Sequence, residues 1–370
     1  MNTLKYFIAS AIACLALSSP ASAAVFALPG INLGNELEST WGAVTPTKAE
    51  IDGMAAAGFK TLRVPCAWNY NSDRNGNISP AFMTKVTNVV NWAIADGMYV
   101  IINEHGSGGW FTSFNRYDSR LNSKLINLWT QVANNFKNTD STKLAFACAN
   151  EPPASSQAQT TVLYQYYQNW VTAMRANGGG NATRWLLVEG PSTNIDNTCA
   201  WGTAMPSDPA HKLMMEVHFY DPFQFTQMTS DANWGAMFYF WGNGYHVVNG
   251  PTNRNATWGE EAWVQTEMDK MKTNFADRGY PVLLGEWRAN YKTQWGMTYP
   301  DLTGQYITQN YNSATYWNKT VQNQIASHGF DGTCWEIMND IFNSTTGAIL
   351  DQPMLNSVKG TSAVAPIPGL

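Results

Sequence analysis

The chain is poor in charge. Only 13% of its residues are Asp, Glu, Lys or Arg, about half the share of an ordinary globular domain, and no run of Lys or Arg occurs in it. A formal net charge of −5 without a basic cluster leaves no electrostatic footprint for a phosphate backbone, so no nucleic acid is expected as a partner. Long apolar runs are also missing. After the first 23 residues nothing reaches the roughly 18 uninterrupted apolar residues of a membrane span. Histidine is scarce: His105, His211, His218, His246 and His328 include no H-x-H or H-E-x-x-H pair. That argues against a metal-dependent hydrolase, and no metal or other cofactor is expected. The five cysteines are widely spaced with no C-x-x-C, which argues against a zinc site. Cys66, Cys148 and Cys334 fall on or beside apolar strands and read as buried thiols. Cys14 lies in the first 23 residues, which are expected to be removed; a disulfide through Cys199 stays open, and the four remaining cysteines allow three full pairings between which the sequence does not choose.

Two things are abundant. The first 23 residues, "MNTLKYFIASAIACLALSSPASA", carry one lysine, a short apolar core and a small-residue "ASA", the layout of a secretory signal peptide cut near Ala23. Export to the cell exterior is the expectation. Tryptophan reaches 16 residues and aromatics 13%. Part of that fills a core, but indole faces also stack on the C–H faces of sugar rings, which suits an uncharged, hydroxyl-rich partner.

Short apolar, β-rich runs recur at 30–34, 60–65, 99–105, 144–151, 185–190, 212–220, 281–287 and 332–336. Between them lie stretches with apolar residues every three or four positions, such as "TKAEIDGMAAAG", "PAFMTKVTNVVNWAIADG" and "SRLNSKLINLWTQVANNF". Pro80 opens the second of these and Gly97 closes it, as helix punctuation requires. Near-continuous apolar strands alternating with amphipathic helices imply a parallel sheet jacketed by helices. Eight units predict a single closed (β/α)8 barrel over residues 24–358, with an enlarged loop at 221–257 and a frayed tail at 359–370.

The site of such a barrel forms at the C-terminal ends of its strands, so polar residues that end apolar runs are the candidates. They are Arg63, His105, Asn150 with Glu151, His218 with Tyr220, Glu286, and Trp335 with Glu336. A lone glutamate at a strand end is more often a structural ion pair. Two, on strands four and seven, face each other across the mouth, and cleaving a sugar acetal needs one acid and one base or nucleophile on opposite sides of the ring. Different surroundings would let one stay protonated and the other ionised. Arg63 is expected to face Glu286 and lower its pKa, Tyr220 to donate to it, and Asn150 to hold a sugar 2-hydroxyl.

Taken in order, "GINLGNELE", "LRVP", "INEHGSGGW", "ANEP", "VHFYDP", "LLGEW" and "CWE" resemble glycoside hydrolase family 5, in the clan of retaining (β/α)8 glycosidases. The likeness spans residues 30–336. It implies Glu151 as general acid/base and Glu286 as nucleophile, with Arg63 and Tyr220 tuning the nucleophile. It further implies His105, Asn150 and His218 on sugar hydroxyls or on the acid/base, and Trp335 as a stacking floor. Within the family, "GNELE", "VHFYDPFQFT" and "FNSTTGAILDQ" are most similar to bacterial endo-β-1,4-glucanases that attack cellulose, mixed-linkage glucan or xyloglucan. The implied protein is a monomer acting on β-linked polysaccharide without a cofactor. A mannanase shares the catalytic set, and a non-catalytic carbohydrate-binding protein is the alternative from another class. Two departures stand out: His105 is followed by Gly106 where many relatives have a second histidine, and Glu286 by Trp287 and Arg288, which should crowd the site.

Further residues have plainer roles. Pleating should turn Glu104 away from the mouth, and Glu336 should pack or form a salt bridge. Glu36 and Glu38 read as solvated loop acids within reach of sugar. Among Trp41, Trp68, Trp110, Trp201, Trp234 and Trp241 two or three should line a cleft, Trp110 first. Asp221 should fix its own loop before Pro222.

Overall fold

The computed structural model describes residues 24–39, 44–106 and 110–370; the leader and Trp41 lie outside them. Eight parallel strands close in chain order: β1 (Gly30–Asn32), β2 (Thr61–Val64), β3 (Tyr99–Asn103), β4 (Leu144–Ala147), β5 (Leu186–Glu189), β6 (Leu213–Phe219), β7 (Val282–Trp287) and β8 (Asp331–Cys334). β8 returns to β1 through Gly30 opposite Thr333. The helices are α1 (Lys48–Ala56), α2 (Pro80–Ala95), α3 (Ser119–Asn135), α4 (Gln157–Asn177), α5 (Ile195–Trp201), the short α6 (Phe223–Thr226), α7 (Glu261–Asn274), α8 (Gln305–Ser327) and α9 (Gln352–Val358). The single (β/α)8 barrel expected from the strand and helix pattern is what forms.

Local chemistry explains the boundaries. Thr47 and Asp118 cap α1 and α3 by accepting first-turn N–H groups, and α2 starts on Pro80, where a missing N–H costs nothing. The apolar stripe of α3, Leu125, Leu128, Trp129, Val132 and Ala133, is buried against the strands.

Inside the barrel the side chains form layers. Ile101, Ala145, Ala147, Leu187, Met214 and Leu283 make an apolar floor, sealed by Phe26, whose N–H and that of Val25 each donate to Asp331 at 2.8 Å. Above it sit Asn32, Arg63, Asn103, Glu189 and Glu216, all fully buried. The strand ends lie above this polar layer. On β7 the register slips, so that Val217 faces Leu284 but His218 faces Glu286. Gly285 sits at the slip because a Cβ there would lie 2.0 Å from the Glu216 carboxylate. The bulge re-aims Glu286 into the mouth.

The enlarged loop forms as expected, and two other expectations change. The long loop after β6 builds a small core of its own, in which Met228, Met237, Tyr239, Phe240 and Val247 pack with Leu302 and Leu370. Arg254 braces it by pairing with Asp231 and Asp301 at 2.7 and 2.9 Å. The last residues are therefore packed, not frayed: Val364 N–H donates to Thr315, Ile367 N–H to Gln309, and Leu370 is buried in that cluster. All four described cysteines are free thiols, Cys199 resting 3.7 Å from the Met271 sulfur.

Candidate active site

Arg63 is the hub. From a fully buried position on β2 its Nε reaches Glu216 at 2.9 Å, one Nη reaches Asn32 at 2.9 Å and Glu286 at 3.1 Å, and the other reaches Asn150 at 3.0 Å. Burial opposes its charge, yet Glu216 and Glu286 keep the guanidinium firmly protonated. Asn150 accepts from Arg63 and, at 3.4 Å, from Asn103, which commits its carbonyl and leaves the NH2 as a donor for something in the mouth.

The carboxylates of Glu151 and Glu286 converge on His218. Its Nδ1 lies 2.8 Å from Glu151 and 3.6 Å from Glu286, while Nε2 lies 3.5 Å from Glu216. One oxygen of Glu151, one of Glu286 and the imidazole nitrogen fall within 4.8 Å of one another. Such a trio could hold a cation. Here, however, Arg63 already neutralises Glu286 and a protonated imidazole bridges both acids, so the positive charge the carboxylates require is supplied by side chains. Tyr220 donates to the second Glu286 oxygen at 3.1 Å. His105 stands 4.0 Å from Glu286 and stacks on Trp335 with ring centroids 5.7 Å apart.

The two acids sit in unlike surroundings. Glu286 is 6% exposed, and burial, reinforced by Glu151, holds its carboxyl above the ordinary value despite His218, Arg63 and Tyr220. Arg63 does lower it, as expected, but desolvation outweighs the imidazole, the guanidinium and the tyrosine together, so the net shift is upward. The Glu151 side chain is 48% exposed; burial acts to raise it, but the His218 hydrogen bond and charge hold it below the ordinary value. At His218 burial disfavours charge, but Glu286, Glu151 and Glu216 together push it up to about 10. Burial keeps His105 well below the usual imidazole range, with Arg63 and His218 adding to the effect, so it is neutral.

Glu151 also has a left-handed backbone, φ +47, which costs a non-glycine residue about 1–3 kcal/mol. Its N–H donates to Glu189 at 2.8 Å. Neither Glu189 nor Glu216 was among the residues singled out from the sequence, though an acid inside an apolar strand was the available signal. Asn32 and Asn103 escaped because the apolar runs read from the sequence continue past them, although β1 and β3 end on these residues.

Arg63, His105, Asn150, Glu151, His218, Tyr220, Glu286 and Trp335 all meet at the mouth. Trp110 does not join them: its indole N–H donates to Glu104 at 3.4 Å and Lys124 lies 4.8 Å over its ring, so it packs against α3. Glu104 points outward, as pleating requires. Trp287 and Arg288 are fully buried behind the strands, with Arg288 paired to Asp340 and near Glu336, and so do not crowd the site. Glu336 accepts from Ile341 and Phe342 N–H. Glu36 and Glu38 are buried, not solvated; Glu38 accepts from the Asn35 and Glu36 N–H groups, and burial with neighbouring Glu50 pushes Glu36 up to about 10. Trp68 and Trp241 pack, whereas Trp234 is 64% exposed on the long loop. Asp221 ties its loop to α7 and α8 through Trp263 and Trp317.

The family model described as cellulase (glycosyl hydrolase family 5) matches residues 21–323. Endoglucanase A of Paenibacillus barcinonensis is 28% identical over 89% of this chain and 86% of its own. A xyloglucan-specific endo-β-1,4-glucanase of Bacteroides ovatus is 28% identical over 86% of this chain; several such relatives are longer, and the chain spans 65% of that one. Among solved structures, a xyloglucan-specific β-1,4-glucanase from a ruminal metagenomic library, in complex with XXLG, superposes with a TM-score of 0.78 at 34% identity, covering 92% of this chain and 95% of that one. With a closed eightfold barrel whose mouth gathers two glutamates, an arginine and two histidines, the chain belongs to glycosyl hydrolase family 5 and is a glycoside hydrolase of the cellulase type.

Proposed function

We propose that the protein is a secreted, retaining endo-β-1,4-glucanase, with Glu286 as nucleophile and Glu151 as acid/base, acting on a β-1,4-glucan backbone that includes xyloglucan. The observation that carries the mechanism is the convergence of Glu151 and Glu286 oxygens to within 4.8 Å. Retaining pairs stand about 5–5.5 Å apart, whereas an inverting pair stands roughly 6.5–9.5 Å apart to leave room for a water; the close approach seen here supports the retaining reading. The substrate class rests on the relatives, among which both xyloglucan-specific and general endoglucanases occur.

The buried Glu286 is the group to attack the anomeric carbon, aimed by Arg63 and Tyr220. Glu151 and His218 share one proton across 2.8 Å. In the open site water favours the ionised carboxylate. A sugar seated over the half-exposed Glu151 strips that water, which favours the neutral pair, so the proton passes to the carboxyl just where the leaving oxygen needs it. In the second half-reaction the same group takes a proton from water. The free NH2 of Asn150 meets the 2-hydroxyl, and Trp335, backed by His105, forms the floor under the ring.

Proton NMR of the first product from a β-1,4-glucan oligosaccharide tests the reading: the β-anomer is expected, and an α-anomer as first product refutes it. Reducing-end release from carboxymethyl-cellulose, barley glucan, xyloglucan and glucomannan separates the glucan from the mannan assignment; preference for glucomannan overturns the former.

A further inference from the structure

Glu189 ends β5 with no exposure to solvent and no cation within ion-pair distance among the described residues. A carboxyl group is an expensive way to satisfy one N–H in such a place. What it satisfies is specific: the backbone N–H of Glu151, at 2.8 Å, in a residue of the mouth whose main chain turns left-handed at φ +47. The adjoining loop is locked to the same corner. Ser192 and Thr193 also have positive φ, 53 and 48, and Ser192 N–H donates to Pro152 O at 2.8 Å, directly beyond Glu151. On its other side Glu189 is in register with Glu216, which touches both Arg63 and His218. One buried carboxyl thus stands between the main chain of Glu151 and the layer that holds Glu286 and His218.

We infer that Glu189 is a positioning residue for general acid catalysis: it clamps the left-handed turn at Glu151 so that this carboxyl reaches His218 and the departing oxygen. This rests on the reading of Glu151 as acid/base. Glu189 touches no substrate. Burial, strengthened by Glu216, raises it well above the ordinary carboxyl range, so it acts as a neutral acceptor that an amide can replace.

The test exploits leaving-group demand. Protonation matters for a glucan and hardly at all for 2,4-dinitrophenyl β-cellobioside, and kcat/KM reports only the first bond cleavage on each. Glu189→Leu is expected to lose about 100-fold on barley glucan and under about fivefold on the aryl glycoside, the lower end of what general acid catalysis supplies. Glu189→Gln should stay within about threefold on both. Equal losses on the two substrates, or no loss on glucan, overturn the inference. If the Leu variant does not fold, Glu189→Asp, which keeps the carboxyl but withdraws it, should show the same split at about tenfold, and its absence counts equally against the clamp. Glu151→Gln runs alongside. If that variant shows no split, the assignment of Glu151 itself fails; if it does while the Glu189 variants do not, only the positioning role fails.

Discussion

The two sides of the mouth solve opposite problems. On the β2–β7 side Glu286 is buried, held by Arg63 at 3.1 Å and Tyr220 at 3.1 Å, and given almost no freedom. On the β4–β5 side Glu151 is half exposed, sits on a strained main chain and lies 2.8 Å from the His218 imidazole. A nucleophile benefits from fixed aim and a desolvated charge, because neither must be reorganised during attack. An acid that must later act as a base benefits from a protonation state that changes with solvent access. His218, within 4 Å of both, couples the two.

The largest effect that would sharpen this contrast comes from replacing each acid in turn. Glu286→Gln should abolish turnover on every substrate by at least about 10³-fold, since the proposed mechanism then lacks its nucleophile. Glu151→Ala with added azide should give β-glycosyl azide, and Glu286→Ala with azide the α-product; the reverse outcome would exchange the two roles. Next is His218→Asn. Its charge lowers both acids, so removing it lets both rise, and the acidic limb of kcat/KM, set by ionisation of Glu286, should move to higher pH with about 100-fold lost near pH 6. A limb that moves down or stays put breaks the coupling. Tyr220→Phe removes one hydrogen bond to a charged group and should lower kcat about tenfold with little change in KM; a loss confined to KM would place Tyr220 on the sugar instead.

The smallest effect lies away from the chemistry. Glu104 is 2% exposed and burial pushes it up to about 8 from 4.5. A carboxyl raised in the folded state stabilises fully below pH 4.5 and loses that contribution as pH climbs toward 8, at up to about 1.4 kcal/mol per pH unit. Glu104→Gln, which keeps the acceptor for Trp110, should flatten the fall in Tm between pH 5 and 8. Parallel curves for variant and parent would show that the carboxyl is not the group titrating.

Eight strands were legible because a parallel strand covered on both faces must be apolar along its length, and the polar residue that ends it stands out. All eight residues gathered at the mouth fall within the last three positions of a β-rich run. Glu189, Glu216, Asn32 and Asn103 were not legible, because a polar residue buried inside the barrel, whether within its strand like Glu216 or at its last residue like the other three, is tolerable only when partners arrive from other strands, and those partners are far away in sequence. Trp110 misled for a related reason. A Trp after two glycines looks like a loop aromatic, but it follows an outward-facing Glu104 and packs with it.

Composition and periodicity by themselves determined the barrel, its order of strands and the residue types at the mouth, since each depends on local propensity and on the alternation of one strand. Only the tertiary structure decided which acid is buried and which meets water, that Arg63 spans 223 positions to Glu286, and that a bulge beside Gly285 turns that glutamate inward. Burial and electrostatic coupling are properties of what surrounds a side chain in space, and no stretch of sequence contains its own surroundings.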